Sequence, residues 1–504
     1  MHGPQRPPCE AGQVQSIAAG TPPLSASRKR AILAATVLGS SLTFIDGSAL
    51  GVALPAIQRD LGAGPAAAQW ISNAYLLTLG ALVLTGGAAG DRFGRKRVFL
   101  IGVILFALAS VACGLTPTAE LLIVGRAIQG VGAALLTPGA LALIGASFPP
   151  EERGRAFGTW AGAGALFGMA GPLVGGWLSD NADWRAIFWI NVPLAALTVA
   201  VAARVPESRD PEARGLDVPG AVLAVAGLAA LTWSLTAAPD LGWTSPAVLA
   251  GLAGGVGLLG GFLWAEAREA HPMMPLSLFR SSVFSGINLL TLLLYFALGG
   301  AMFFLHFDLI RVQGWSATEA GAAMLPFAVV MGLFSGLAGR IADRFGARLS
   351  LGVGPVLAGI GLLMLALPGR GAGYIDGPLA GMTVMAIGMT LAVGPLTGAV
   401  MGAVEPGKTG VASGVNNAVA RVAGLLAVAL LGVVLSAVFV ALLDQPDARA
   451  TLGQVMAGDG GLEEAAIDAF HAAFRAVMTV SGACAILAGA IGLLTAPGRP
   501  QKAA

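Results

Sequence analysis

Apolar residues run along this chain in long blocks broken by short polar joints. They show none of the apolar–polar alternation that a half-buried strand would give. The pattern predicts fourteen helical spans, at about 31–55, 68–90, 98–116, 121–146, 156–178, 185–203, 216–237, 246–266, 283–307, 319–340, 348–367, 375–401, 412–443 and 473–495. Each approaches the ~20 residues a helix needs to cross ~30 Å of hydrocarbon.

Composition agrees with that pattern. Of the 504 residues, 56% are hydrophobic and 11% charged, against roughly 25% charged in a soluble domain. Such a chain cannot build a soluble surface, so the fold class is an all-α integral membrane protein. The net charge of +2 is too small for a nucleic-acid partner. Cys9, Cys113 and Cys484 are too scattered to hold a metal or to frame disulfides. Residues 1–27, rich in Pro, Gly, Ala and Ser, read as a disordered tail, and residues 498–504 as a second tail. No signal peptide is expected, because a full span follows Arg28-Lys29-Arg30 directly.

Charge sets an orientation. With the N-terminus inside, 22 of the 29 Lys and Arg fall on the inner side of the spans. The positive-inside rule then puts both termini in the cytoplasm. The densest cluster, "GDRFGRKR" at 90–97, has an echo, "ADRFGAR", at 342–348, with Asp343 252 positions after Asp91. "FPPEERGRAFG" (148–158) is matched in position by "VEPGKTGVASG" (404–414), 256 residues on. Two six-span halves, 28–210 and 276–497, are therefore parallel repeats, with two inserted spans in 211–275. Parallel halves related about the membrane normal are one architecture of secondary transporters, whose site lies between them near the midplane.

Five stretches in order resemble the major facilitator superfamily, in its fourteen-span drug:proton antiporter branch. They are "FIDGSALGVALPAI" (44–57), "QWISNAYLL" (69–77), "GAAGDRFGRKR" (87–97), "GRAIQGVGAALLTPGALALI" (125–144) and "GALFGMAGPLVGGWLSD" (164–180). The resemblance spans about 30–495. It implies a major-facilitator fold of two six-helix bundles plus two inserted helices, fourteen in all. It also implies export of drugs or other amphipathic small molecules from the cytoplasm, in exchange for protons, by a monomer in the cytoplasmic (inner) membrane. No cofactor is implied, because the proton gradient drives the cycle, and no metal and no enzymatic activity are implied. The alternatives are a dedicated exporter of one metabolite or self-made antibiotic and, remotely, a non-transporting membrane receptor.

The candidate residues follow from chemistry weighed beside that resemblance. Asp46 lies deep in the first span, where an ionised, unpaired carboxylate costs several kcal/mol, a position suited to an acid that takes up and gives up a proton. Arg126 in the fourth span is its natural counter-charge, since guanidinium does not lose its proton. By resemblance both serve proton coupling. Asp91, Arg92, Gly94 and Arg95 form the loop after the second span, and the resemblance makes them a gate between the halves. Gly164, Gly168, Gly171, Pro172, Gly175 and Gly176 carry the motif associated with antiporters. At three- and four-residue spacing the glycines predict a face for close helix approach. Gln129, Asn73, Tyr75 and Asn288 are candidate positions in a substrate cavity. His306 and Asp308 end the ninth span near the outer face and read as interfacial anchors, with the lining of a proton entrance as the alternative. "GAVEPGKT" (402–409) satisfies a phosphate-loop pattern, but it joins two spans where that loop needs a strand before it, so it is coincidence.

Overall fold

The computed structural model of the chain describes residues 25–210, 215–269, 272–405, 409–445, 447–458 and 463–497. Among the described residues the regular structure is entirely helical. The first half comprises α1 (Ala26–Leu61), α2 (Pro65–Phe93), α3 (Arg95–Gly114), α4 (Ala119–Ser147), α5 (Pro150–Asn181) and α6 (Ala186–Ala202). Two inserted helices follow, α7 (Val218–Leu241) and α8 (Pro246–Arg268). The second half comprises α9 (Ser282–Phe307), α10 (Leu325–Phe345), α11 (Ala347–Met364), α12 (Pro378–Gly402), α13 (Thr409–Leu443) and α14 (Glu464–Thr495). Short helices Ala317–Ala322 and Ala448–Ala457 stand before α10 and α14.

Thirteen of these helices are long and apolar enough to span a membrane. The sixth of the fourteen expected, Ala186–Ala202, is apolar but falls short of that measure. That helix is shorter than the others and is divided into Ala186–Trp189 and Asn191–Ala202. Pro193 has no N–H for the Trp189 carbonyl, so the helical ladder lapses there. The first tail is also shorter than the predicted 1–27, because α1 begins at Ala26 behind a Ser25 cap. Most of that tail, the whole of 498–504, and Lys408 of the phosphate-loop pattern lie outside the described residues. Of the described part of that pattern, Gly402 ends α12, residues 403–405 follow it, and Thr409 begins α13.

The repeat is visible in backbone detail. Gly94 and Gly346, 252 positions apart, end α2 and α10 with φ of +109° and +91°. A side chain rarely adopts that backbone conformation, which accounts for glycine in both turns. Between spans, lipid supplies no hydrophobic drive, so packing depends on how closely the helices approach. A Cβ on Gly102 of α3 would meet the Leu136 nitrogen at 2.7 Å and the Gly132 carbonyl at 2.8 Å. In the second half a Cβ on Gly354 of α11 would meet the Gly388 carbonyl at 2.8 Å and the Ala392 nitrogen at 2.9 Å. The offsets are again 252 for α3 to α11 and 256 for α4 to α12. The same glycine crossing thus locks corresponding helix pairs in both halves.

The two ends of the bundle differ. The end carrying Lys29, Arg95–Arg97, Arg153, Arg204 and Arg344 is the basic end. At the far end the halves meet. Asp180 of α5 accepts hydrogen bonds from the Ala317 and Thr318 nitrogens (3.2 and 2.7 Å). Arg311, in the π-helical turn after α9, donates to the carbonyls of Pro55 on α1 (2.8 Å) and Ala457 (2.7 Å). Gly51 of α1 faces the His306 ring. At the basic end α5 and α10 stand open: among the described residues no atom comes within 4 Å of a Cβ placed on Gly158, Gly162, Gly336 or Gly339. Helices α2 and α13 stay in contact, at Gly80 against Arg421 and at Leu84 against Gly414. The molecule is therefore closed at the far end and parted at the basic end.

Candidate functional site: a buried ion pair in the first half

Asp46 and Arg126 meet inside the first half. An Arg126 Nη donates to Asp46 Oδ2 at 2.5 Å, and the two side chains are 2% and 1% exposed, so no water screens the pair. The same nitrogen donates to Gln129 Oε1 (2.5 Å), and Nε donates to the Ile71 carbonyl on α2 (3.1 Å). The guanidinium lies 4.4 Å from the centre of the Tyr75 ring and 5.9 Å from that of Phe188. Gln129 Nε2 donates both to Asp46 Oδ1 and to Ser110 Oγ of α3, each at 2.8 Å. Asn191 Nδ2, at the start of the longer piece of α6, lies 3.3 Å from the same two acceptors.

The elements account for this convergence. Arg126 and Gln129 are one turn apart on α4 and share a face, and the glycines of α4 let α2 and α3 approach it closely. A Cβ on Gly130 would strike Tyr75 and Thr78 of α2. The Asn191 amide enters just where α6 is divided. The result is a closed network in which Asp46 accepts from three side chains on two helices. Removing one partner of such a buried pair costs about 3–5 kcal/mol, because the other charge is left unpaired. A proton on Asp46 would cancel its charge and convert one acceptor oxygen into a donor. The bond from Arg126 would then weaken, and with it the tie from α1 to α4.

The sequence named Asp46, Arg126, Gln129 and Tyr75, and the structure brings all four together. Ser110 and Asn191 were missed. A lone polar residue inside an apolar block is the signal that marks Asn191, whereas a serine among alanines carries almost none. At the corresponding positions of α12 the second half carries no charge. At the 256-residue offset, Arg126 and Gln129 correspond to Met382 and Met385, both fully buried.

The other candidates fall elsewhere. Asn288 on α9 accepts from Asn416 Nδ2 (3.1 Å) and donates to the Phe284 carbonyl. Asn73 on α2 is buried, and among the described residues its amide has no hydrogen-bond partner. His306 faces Gly51 across the halves, and Asp308 is buried against His471 Nδ1 at 2.8 Å. Asp91 pairs with Arg95 at 2.9 Å, and its carbonyl accepts from the Asp210 nitrogen. The acid that caps α3 is a different one: Glu207 accepts from the Lys96 and Arg97 nitrogens at 3.0 and 3.1 Å. The charge–dipole contact at this turn thus belongs to Glu207, while Asp91 fixes Arg95. Arg92 lies 5.3 Å from the Phe93 ring centre.

The antiporter-motif glycines divide between two neighbours. Gly164, Gly171 and Gly175 press on Phe44, Ser48 and Ala49 of α1, whereas Gly176 presses on Ala317. Gly321 in turn lies against the Pro172 carbonyl. Gly168 meets nothing within 4 Å. The motif is thus where α5 seals against α1 over most of its length and against the second half at the far end.

Known proteins resemble the chain over nearly all of this structure. The sequence pattern of the Major Facilitator Superfamily matches residues 36–428. The tetracenomycin C resistance and export protein of Streptomyces glaucescens is 32% identical, over 94% of this chain and 92% of that one. The multidrug resistance protein Stp of Mycobacterium tuberculosis is 34% identical, over 80% and 75%. A solved bacterial homolog of the human lysosomal transporter Spinster, inward-facing and unoccupied, superposes with a TM-score of 0.66. It is 19% identical and is covered over 94% of this chain and 98% of that one.

Proposed function

The chain belongs to the Major Facilitator Superfamily, and from that premise we propose that it exports amphipathic small molecules from the cytoplasm in exchange for protons. The observation that carries this reading is the Asp46–Arg126 pair, a sealed carboxylate and guanidinium in the first half, in a molecule closed at one end and open at the other. The basic end is the cytoplasmic end, supported by the positive-inside bias, so this conformation faces inward. The chain works as a single-copy carrier with no cofactor.

The cycle follows from the network. Substrate taken from the cytoplasm is carried outward on the deprotonated carrier: the far-end contacts of Asp180 and Arg311 break, and the basic end closes at the loop of Asp91, Arg92, Gly94 and Arg95. A proton from outside then reaches Asp46 and cancels the carboxylate charge, and Arg126 keeps only Gln129 and the Ile71 carbonyl. That loosens α1 against α4 and displaces the substrate. The proton-loaded carrier returns to the inward-facing arrangement, and release of the proton to the cytoplasm restores the pair. Asn73 and Asn288 serve as polar positions on the substrate path.

The relatives' names support two breadths of substrate, one multidrug and one centred on a single antibiotic. A panel of structurally diverse toxic compounds, tested on an efflux-deficient host expressing the chain, separates them. Resistance to many compounds selects a multidrug carrier, and resistance to one selects a dedicated exporter. Sensitivity to all of them, with the protein present in the membrane, contradicts export.

A further inference from the structure

The far end of the second half holds a buried acid and base that the proposed cycle does not use. Asp308, in the π-helical turn after α9, is 3% exposed, and His471 of α14 is 8% exposed. His471 Nδ1 lies 2.8 Å from Asp308 Oδ1, and Nε2 lies 3.1 Å from the Pro368 carbonyl, between α11 and α12. Both ring nitrogens therefore face oxygens. A carbonyl only accepts, so the bond at Nε2 puts a hydrogen on that nitrogen. The bond to the carboxyl group needs a second hydrogen, on Nδ1 or on Oδ1. Whichever atom holds it, the pair has one proton more than a neutral imidazole beside a carboxylate. Without that proton one ring nitrogen turns a lone pair toward an oxygen, and one of the two bonds is lost.

The surrounding charges do not replace that proton. On α9, His306 is turned to the Met302 carbonyl and to Gly51 of α1. Arg311 is spent on the carbonyls of Pro55, Met456 and Ala457. On α14, Asp468 is exposed and pairs with Arg370 at 2.8 Å, and Arg475 is exposed one turn beyond His471. Glu319 closes the cap of helix Ala317–Ala322. Tyr374, Asp376, Asp444, Arg449, Glu463 and Glu464, at the ends of the neighbouring elements, are exposed. Gln313 is the nearest uncharged polar group, with Nε2 3.5 Å from Asp308 Oδ2 and 3.3 Å from the Gly369 carbonyl. A cavity of about 20 Å³ beside Asp308, His471 and Gln313 has room for one water. Gln313 and Ala372 on its wall are partly exposed, which opens a path for protons from the far-end solution.

The pair also sits where the halves are held together. The His471 ring joins the end of α9, the Pro368 loop and α14. The same π-helical turn carries Arg311, three residues after Asp308, whose bond to the Pro55 carbonyl reaches α1 in the first half. Losing a ring bond loosens that turn, and with it the hold of Arg311 across the far end.

We propose that Asp308 and His471 form a proton-binding site in which one bound proton keeps the far end closed. The ligand is a proton from the far-end solution. Linkage gives the sign: the closed arrangement holds the proton and the parted one releases it, so acid favours closure and alkali favours opening. This inference does not depend on the export reading or on Asp46.

The test uses the full chain purified in detergent, with its three cysteines replaced by serine and Asp46→Asn as background, so that Asp46 contributes nothing. Spin labels on Asn181→Cys and Gln454→Cys, exposed far-end positions in the first and second halves, report the separation of the halves by pulsed EPR. Between about pH 5 and about pH 9 the ratio of parted to closed molecules should rise, by at most about tenfold per unit for one proton. Asp308→Asn offers an amide hydrogen to Nδ1 and satisfies both nitrogens of a neutral ring. It should therefore keep the far end closed and flatten the rise. His471→Gln, which takes up no proton, should flatten it as well. A separation independent of pH in the Asp46→Asn background, or a rise that survives Asp308→Asn, would overturn the proposal. So would a rise abolished by His306→Gln but not by His471→Gln, since the proton would then sit on His306.

Discussion

Gly171 lies so close to α1 that a Cβ there would collide with Ser48 Oγ and approach the Ile45 carbonyl at 3.0 Å. Four positions either side of Gly168, α5 is pressed on α1 or stands next to such a contact, yet Gly168 has open space. Alanine should therefore separate the two sites. Gly171→Ala should lower the yield of folded carrier measured by gel filtration, since overpacking a tight contact costs about 1–3 kcal/mol. Gly168→Ala should match the unmutated yield. Equal losses at both would remove the packing account of the motif. Residues such as Asp46, Arg126 and Gln129 were legible because polar groups stand out in an apolar block. Glu207, Asp217 and Glu266 were not. Acids at block ends look like ordinary boundary charges until the fold shows one capping α3, one capping α7 and one holding the Met274 nitrogen. The spacing of Gly168 put it on the packing face, but periodicity cannot say where the partner helix leaves that face.

Among the elements, hydropathy located the helices, and the basic clusters located one common end of the bundle. The sixth helix is where the pattern fell short. Its apolar block continues through Pro193, which hydropathy does not distinguish from other apolar positions, while the hydrogen-bond ladder does. Alternation of the helices fixes a testable orientation. In a chain whose three cysteines are replaced by serine, Gln454→Cys lies exposed on the far-end helix Ala448–Ala457, and Arg209→Cys lies exposed at the basic end. An impermeant maleimide applied to intact cells should label the first and spare the second. The opposite pattern would invert the topology, and with it the direction of export.

For the whole molecule, the two halves share a frame but not its chemistry. The glycine crossings of α3–α4 and α11–α12 repeat at fixed offsets, so both halves are rigid in the same way. The first contains the buried Asp46–Arg126 pair; methionines fill the places of Arg126 and Gln129 in the second, whose own buried acid, Asp308, meets His471 instead. The repeat was visible in the sequence. The far-end closure was not, because it rests on Asp180 meeting helix Ala317–Ala322 and Arg311 meeting Pro55, pairs that no local pattern connects. On the proposed cycle a proton acts at Asp46 in the first half, and the rocking of both halves converts that local change into exchange across the membrane. The central claim is that Asp46 is where the proton acts. The direct measurement is drug-induced proton release from everted, energised vesicles containing either the unmutated chain or Asp46→Asn at matched membrane levels. The account predicts release with the unmutated chain and none above the empty-vesicle background with Asp46→Asn. Undiminished release from the mutant would contradict it.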